Sequence, residues 1–180
     1  METKTDEIWM KEVKEGNLES MIPLFEKYQV PLFNFFLRLT GNRMNSEDLA
    51  HTVFSRVMMY RESYTDGKSF RSWLYQMARN VHIDHYHKNK QYVNGDLIMM
   101  YKSADSADAL EEMERNEKYN ALYDALEQLT EEQKEIIELS RFQGLKYEEI
   151  SEITGNSVPA IKVKVHRAMH KLREYYFQLV

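Results

Sequence analysis

The chain contains no cysteine, which excludes disulfides, cysteine zinc sites and thiol catalysis. It has no apolar run approaching the length of a membrane span and no signal-peptide pattern at its start, so a soluble cytoplasmic protein without membrane insertion is expected. No stretch alternates apolar and polar residues as a half-buried strand does, and an all-α fold is expected. A surplus of positive charge is also missing: 24 Lys and Arg stand against 29 Asp and Glu, a formal net charge of -5. With a sequence pI of about 5.7, that balance suits a free-standing DNA binder poorly. The charge is segregated, however. Residues 105–117 carry Asp105, Asp108, Glu111, Glu112, Glu114 and Glu117, whereas the last helical stretch is cationic. Such a chain is expected to bind DNA weakly alone and well beside a partner.

What is present is 180 residues, 43% of them hydrophobic, enough for one domain or two small ones. The most informative stretch runs from Tyr147 to Arg173. Tyr147, Ile150 and Ile153 share one side of a short helix, and Gly155 ends it, since glycine takes the left-handed conformation without a Cβ clash. Ser157 is a good N-cap for a second helix, with Pro159 in its first turn. Ile161, Val165, Ala168 and Leu172 then make one apolar stripe, with Lys162, Lys164, His166, Arg167, Lys171 and Arg173 off it. A short helix, a glycine turn and a cationic second helix form the helix-turn-helix arrangement, whose second helix enters the DNA major groove. An ordinary helical hairpin with a solvated basic face has the same pattern.

Ahead of it, Thr130 and Gln133 form a capping box that opens a helix burying Ile136, Ile137, Leu139 and Phe142. In the N-terminal half the spacing gives a helix over 6–15 with Ile8, Trp9 and Val13 inward. A second starts near Leu18, with Pro31 interrupting or restarting it. A third is capped by Asn45 or Ser46, with Leu49, Val53, Phe54 and Val57 buried. Glu47 and Asp48 read as first-turn acids of that third helix. From Ser69 a fourth helix buries Phe70, Trp73, Leu74, Met77 and Val81. Its other faces carry Arg71, Arg79, Asn80, Asp84, His85, His87, Lys88 and Lys90. With Tyr75 and Tyr86 interleaved, these suit a single-stranded nucleic acid or a solvated face equally. His82, His85 and His87 do not share one helix face and lack a fourth ligand, so no metal and no cofactor is expected. Between Gln91 and Arg115 periodicity fades into a linker that contains a short apolar patch, Leu97 to Tyr101.

Taken together the motifs resemble a bacterial extracytoplasmic-function (ECF) RNA polymerase sigma factor of the sigma-70 family. The N-terminal half is similar to sigma domain 2 through Leu24–Tyr28, Leu39–Asn42, Ser46–Leu49, Val53-Phe54, Phe70–Tyr75, Ala78–Asn80 and Asp84. The C-terminal half is similar to domain 4 through Leu126–Gln133, Gly144–Ile150 and Ser157–Arg173. The resemblance implies domain 2 over residues 1–92, a linker over 93–115 and domain 4 over 116–180. It implies that Glu47, Asp48, His51 and Phe54 grip the β′ clamp helices of core RNA polymerase. Arg71, Trp73, Arg79, Asn80, Asp84, His85 and Lys88 would open the promoter -10 element and hold its non-template strand. Ser157, Val158, Pro159, Lys162, Val163, His166 and Arg167 would read the -35 element, with domain 4 leaning on the polymerase β flap. An anti-sigma factor is a further implied partner. His51 and Thr52 depart from the family's glutamine followed by an acid, and Tyr86–Lys90 from its arginine-rich end of domain 2.

The implied function is promoter selection without catalysis. Two other readings fit parts of the pattern. A stand-alone helix-turn-helix regulator with an N-terminal sensing domain would bind its operator without polymerase. A helical enzyme would use His82, Asp84 and His85.

Overall fold

The computed structural model describes residues 4–90 and 120–179, the side chains of 89 and 90 excepted; the linker, the Leu97–Tyr101 patch and both expected domain boundaries lie outside them. All the described regular elements are helical.

Helix α1 (Asp6–Lys14) opens on two acids and closes on Lys14, in the sense its dipole favours. It buries Met10 and Val13, while Ile8, expected inward, is exposed. Asp6 faces α2 (Met21–Thr40) and accepts hydrogen bonds from Lys27 Nζ and from Tyr28 Oη, 2.7 and 2.6 Å. Leu18–Ser20 forms a 3-10 turn before α2. Pro31 does not interrupt α2, which continues through it. A proline inside a helix forfeits one backbone hydrogen bond and crowds the preceding turn, at a cost of about 3 kcal/mol. Burial of Leu24, Tyr28, Leu32, Phe35, Phe36 and Leu39 along the same helix outweighs it.

Gly41, at φ 63°, terminates α2, and Asn42 caps α3 (Arg43–Met59) by accepting from Asn45 N–H at 2.9 Å. The cap therefore lies upstream of the Asn45 or Ser46 expected. Ser46 is instead buried, its hydroxyl donating to Asn42 O, and Glu47 and Asp48 sit one turn into the helix. After a 3-10 turn (Arg61–Ser63), Tyr64 goes into the core. Ser69 Oγ accepts from Ser72 N–H at 3.2 Å and starts α4 (Phe70–Lys90). Helices α2, α3 and α4 pack around Phe35, Phe36, Val53, Val57, Phe70, Leu74 and Val81, with α1 laid across one side.

In the C-terminal half, residues 120–127 form α5. Thr130 and Gln133 make the expected capping box at the start of α6 (Glu131–Ile137). The chain then widens into a π-helical turn over Glu138–Phe142, closed by Gln143 N–H donating to Glu138 O at 2.9 Å. The wider turn rotates later residues off the α6 stripe. Phe142, expected to be buried, is exposed and lies under the Arg38 guanidinium, 4.3 Å from ring centre to Cζ. Helix α7 (Tyr147–Thr154) ends at Gly155, φ 73°, and α8 (Val158–Leu179) follows. The stripe expected on α8 is the one buried: Ile161, Val165, Ala168 and Leu172.

Candidate nucleic-acid interface

Helices α7 and α8 form a helix-turn-helix. Ile150 and Ile153 of α7 bury against the α8 stripe. Ser151 Oγ donates to Asn156 O at 2.7 Å and ties the turn across Gly155. Ser157 O accepts from Ile161 N–H at 3.0 Å, so the second helix starts where the sequence places it. At 3.6 residues per turn the side opposite the buried stripe presents Val163, Arg167 and His170. Lys162 and His166 flank them. Ser157, Pro159, Lys162, Val163, His166 and Arg167 are exposed and Val158 is half-buried. Lys164 differs: its Nζ lies 2.6 Å from Glu132 Oε1 and 2.8 Å from Asn156 Oδ1. The open face carries the cations Lys162 and Arg167 and is suited to phosphates and base edges.

On α3 a second surface is exposed. Met44, Asp48, His51, Ser55 and Met59 lie along one side, with Glu47 beside them. Glu47 pairs with Arg43 at 3.0 Å. Asp48 and His51 face solvent. Phe54 does not belong to this side; it is in the core, its ring 4.7 Å from that of Phe25.

Helix α4 is where the sequence reading and the structure part. Asn80, Asp84 and Lys88 are exposed, with Asp84 held by Arg56 Nη2 at 2.7 Å. His85 is half-buried, and burial together with nearby His82 and Lys88 lowers its pKa. Trp73 packs against Tyr64, ring centres 5.3 Å apart. Tyr75, read as a stacking ring, is buried, because it sits on the α4 side that meets the C-terminal half. Its hydroxyl donates to Gln143 Oε1. His82 is buried beside Glu131, Nε2 to Oε2 3.3 Å, and is open neither to phosphate nor to water.

The same contact takes up Arg71 and Arg79. Arg71 Nη2 donates to Gln143 O, and Arg79 Nε lies 2.9 Å from Glu135 Oε1. Arg38 of α2 grips Glu138 with both nitrogens, Nε to Oε2 2.7 Å and Nη2 to Oε1 2.8 Å. Gln143 Nε2 donates to the same carboxylate at 2.8 Å. Ser72 Oγ donates to Glu149 Oε1 at 2.9 Å. Burial pushes the carboxyls of Glu138 and Glu135 above the usual range in spite of their arginines. Burial opposes ionisation of Glu131 too, but the hydrogen bond from His82 and the charge of Lys134 bring it below that range. None of Arg38, Glu131, Glu135, Glu138 and Gln143 stood out in the sequence. Their one signal is that Glu131, Glu135 and Glu138 recur at i, i+4 and i+7.

Comparison with known proteins is consistent across both halves. The model of sigma-70 region 2 matches residues 24–92, and that of sigma-70 region 4 matches residues 119–172. The chain is 30% identical to the ECF RNA polymerase sigma factor EcfG of Rhodopseudomonas palustris over 141 residues, covering 77% of this chain and 75% of that one. It is 29% identical to the RNA polymerase sigma factor CarQ of Myxococcus xanthus, covering 94% and 97%. Among solved structures, CnrH in complex with the cytosolic domain of CnrY has the same fold, with a TM-score of 0.71 at 21% identity over 94% of this chain and 95% of that one. So does the sigma factor RpoE in complex with the anti-sigma factor NepR from Bartonella quintana, at 0.71 and 21% over 87% and 96%.

Proposed function

The chain belongs to the ECF sigma factors of the sigma-70 family, the subunits that direct RNA polymerase to promoters, and from that premise we propose how its surfaces divide the work. Residues 1–92 act as domain 2 and residues 116–180 as domain 4. Sigma factors are non-enzymatic initiation factors, and this one leaves all catalysis to the polymerase in the cytoplasm. The exposed side of α3, with Glu47, Asp48 and His51, binds the β′ clamp helices; Phe54 supports that helix from beneath. Domain 4 rests on the β flap and lays α8 in the major groove of the -35 element.

The observation that carries this reading is the α8 ridge: a capped helix, buried on one stripe only, with Lys162, His166 and Arg167 exposed on the other sides. Single-strand capture falls to α4 through Arg71, Trp73, Arg79, Asn80, Asp84, His85 and Lys88. Unstacking a base costs a few kcal/mol, which stacking and edge contacts in that groove must offset. An anti-sigma factor is the natural antagonist of such a subunit.

Titration of the purified chain with bacterial core RNA polymerase on a native gel tests the reading. One-to-one binding and run-off transcription from a subset of genomic fragments are expected. Failure to bind core, with DNA shifted by the chain alone, would overturn it in favour of a stand-alone regulator.

A further inference from the structure

Met44 and Met59 are each 69% exposed, whereas Met10 has no exposed surface and Met21, Met58, Met77 and Met169 are partly buried against the core. Among the described residues, the two open thioethers therefore fall on one helix, α3, and on one side of it. The steps from Met44 to Asp48, His51, Ser55 and Met59 are four, three, four and four residues, each close to a whole turn. This is the side assigned above to core polymerase. Its middle is polar and its two ends, about 22 Å apart along the axis, are apolar. A thioether on three rotatable bonds adapts to whatever apolar surface covers it, which is why methionine is frequent at binding surfaces.

A thioether is also open to attack by a peroxide. Hydrogen peroxide delivers one oxygen atom to Sδ: the O–O bond breaks, an S–O bond forms and water leaves. The sulfur gives up the two electrons that the peroxide takes. The product is a polar sulfoxide, which methionine sulfoxide reductases return to the thioether. Covering its oxygen without a hydrogen-bond donor is unfavourable, so a contact that suits the thioether does not suit the sulfoxide. The chain has no cysteine to intercept the oxidant.

We propose that Met44 and Met59 are the apolar anchors of the polymerase-binding side of α3, and that their oxidation by hydrogen peroxide to sulfoxides reversibly weakens the hold on core polymerase. The proposal rests on the assignment of α3 to the polymerase. It adds a modification site and an oxidant-sensitive contact in a chain without thiols.

The test treats the full chain with hydrogen peroxide, removes the peroxide and titrates the product with core RNA polymerase. Peptide mass spectrometry should find the added oxygen at Met44 and Met59 well before Met10. Core affinity should fall about tenfold or more, the scale of losing an interface anchor, with the far-UV circular dichroism unchanged. Methionine sulfoxide reductases for both sulfoxide epimers should restore it. Met44→Leu with Met59→Leu keeps both side chains apolar and should bind core as the parent does, before and after peroxide. Met44→Gln with Met59→Gln should lose affinity with no oxidant added. A leucine variant that loses affinity under peroxide as the parent does places the damage elsewhere and overturns the proposal. So does unchanged affinity of the oxidised parent and of the glutamine variant while Asp48→Arg still weakens binding, a result that leaves α3 at the polymerase. If Asp48→Arg is also without effect, the assignment of α3 falls and the proposal with it.

Discussion

Lys162, Lys164 and Arg167 lie within two turns of α8, yet they are predicted to differ sharply when truncated. Lys162 and Arg167 are exposed and form no ion pair with a described residue, whereas Lys164 is held by Glu132 and Asn156. A lysine that neutralises one phosphate contributes about 0.9 to the slope of log affinity against log salt. Lys162→Ala should flatten that slope by about 0.9, so a fourfold rise in salt costs the parent about 3.5 times more affinity than the variant. Lys164→Ala should leave the slope unchanged, because its charge is already spent on Glu132. It should cost no more than about 1 kcal/mol of stability, as exposed pairs do. Arg167 stands on the outward side and has the reach for a base edge. Its truncation should cost about 1–3 kcal/mol on the cognate duplex, or roughly 5- to 150-fold, and little on a scrambled one.

The assay is fluorescence anisotropy of -35 duplexes with reconstituted holoenzyme across a salt series. Equal flattening by Lys162→Ala and Lys164→Ala would show that the Lys164 contacts do not persist on DNA and that the ridge includes Lys164. An equal loss on every sequence for Arg167→Ala would make it a phosphate contact and refute base reading at that position.

Asp48→Arg should weaken core polymerase binding by about tenfold or more through charge reversal at an interface; far-UV circular dichroism should show the fold intact, since Asp48 is exposed and unpaired among the described residues. Unchanged affinity would remove α3 from the interface. Burial holds three tyrosines of the N-terminal half neutral, Tyr28 and Tyr75 far above the ordinary value of 10.0 and Tyr64 at about 12. A folded value above the unfolded one means stability that is full below the unfolded value and lost as pH rises through the folded one. A late fraction of the tyrosinate absorbance should therefore rise together with loss of helix, well above the range of exposed tyrosines such as Tyr60; complete tyrosine ionisation near pH 10 with helix intact would contradict the burial of these three.

The helix-turn-helix was legible because its signals are local. The Gly155 stop, the Ser157 start, the Thr130–Gln133 box and the Ile161–Leu172 stripe each involve residues within a few turns of one another. Pro31 misled because propensity describes an isolated helix, while the aromatic burial that carries α2 through it comes from α3 and α4. Asn42 was passed over as a cap because Thr40-Gly41-Asn42 reads equally as a plain turn. The larger gap concerned α4. Periodicity says which residues leave the core of their own half, and Arg71, Arg79 and His82 do leave it, while Tyr75 keeps its ring on Phe35 and turns only its hydroxyl to Gln143. It cannot say that a second domain waits for them. Arg38 and Glu138 are 100 residues apart in sequence, and nothing near either one specifies the other.

The contact between the halves also changes how the net charge of -5 should be understood. Counted over the chain, the acids repel DNA; counted by position, three of them are turned inward onto Arg38, Arg79 and His82. At physiological salt, exposed charges act over about 8 Å, so acids on distant surfaces cost the α8 ridge little. The ridge stays locally cationic, while on α4 Arg79 is matched by Glu135 and Arg71 is held by the Gln143 carbonyl. Asn80, Asp84 and Lys88 of the same helix are exposed while Arg71 and Arg79 are engaged by the C-terminal half. Duplex contact through α8 alone should be weak, because so short a ridge would neutralise few phosphates. The net charge is therefore a poor guide to the surface this chain presents, because three of its acids are matched across the halves while Lys162 and Arg167 of α8 stay exposed.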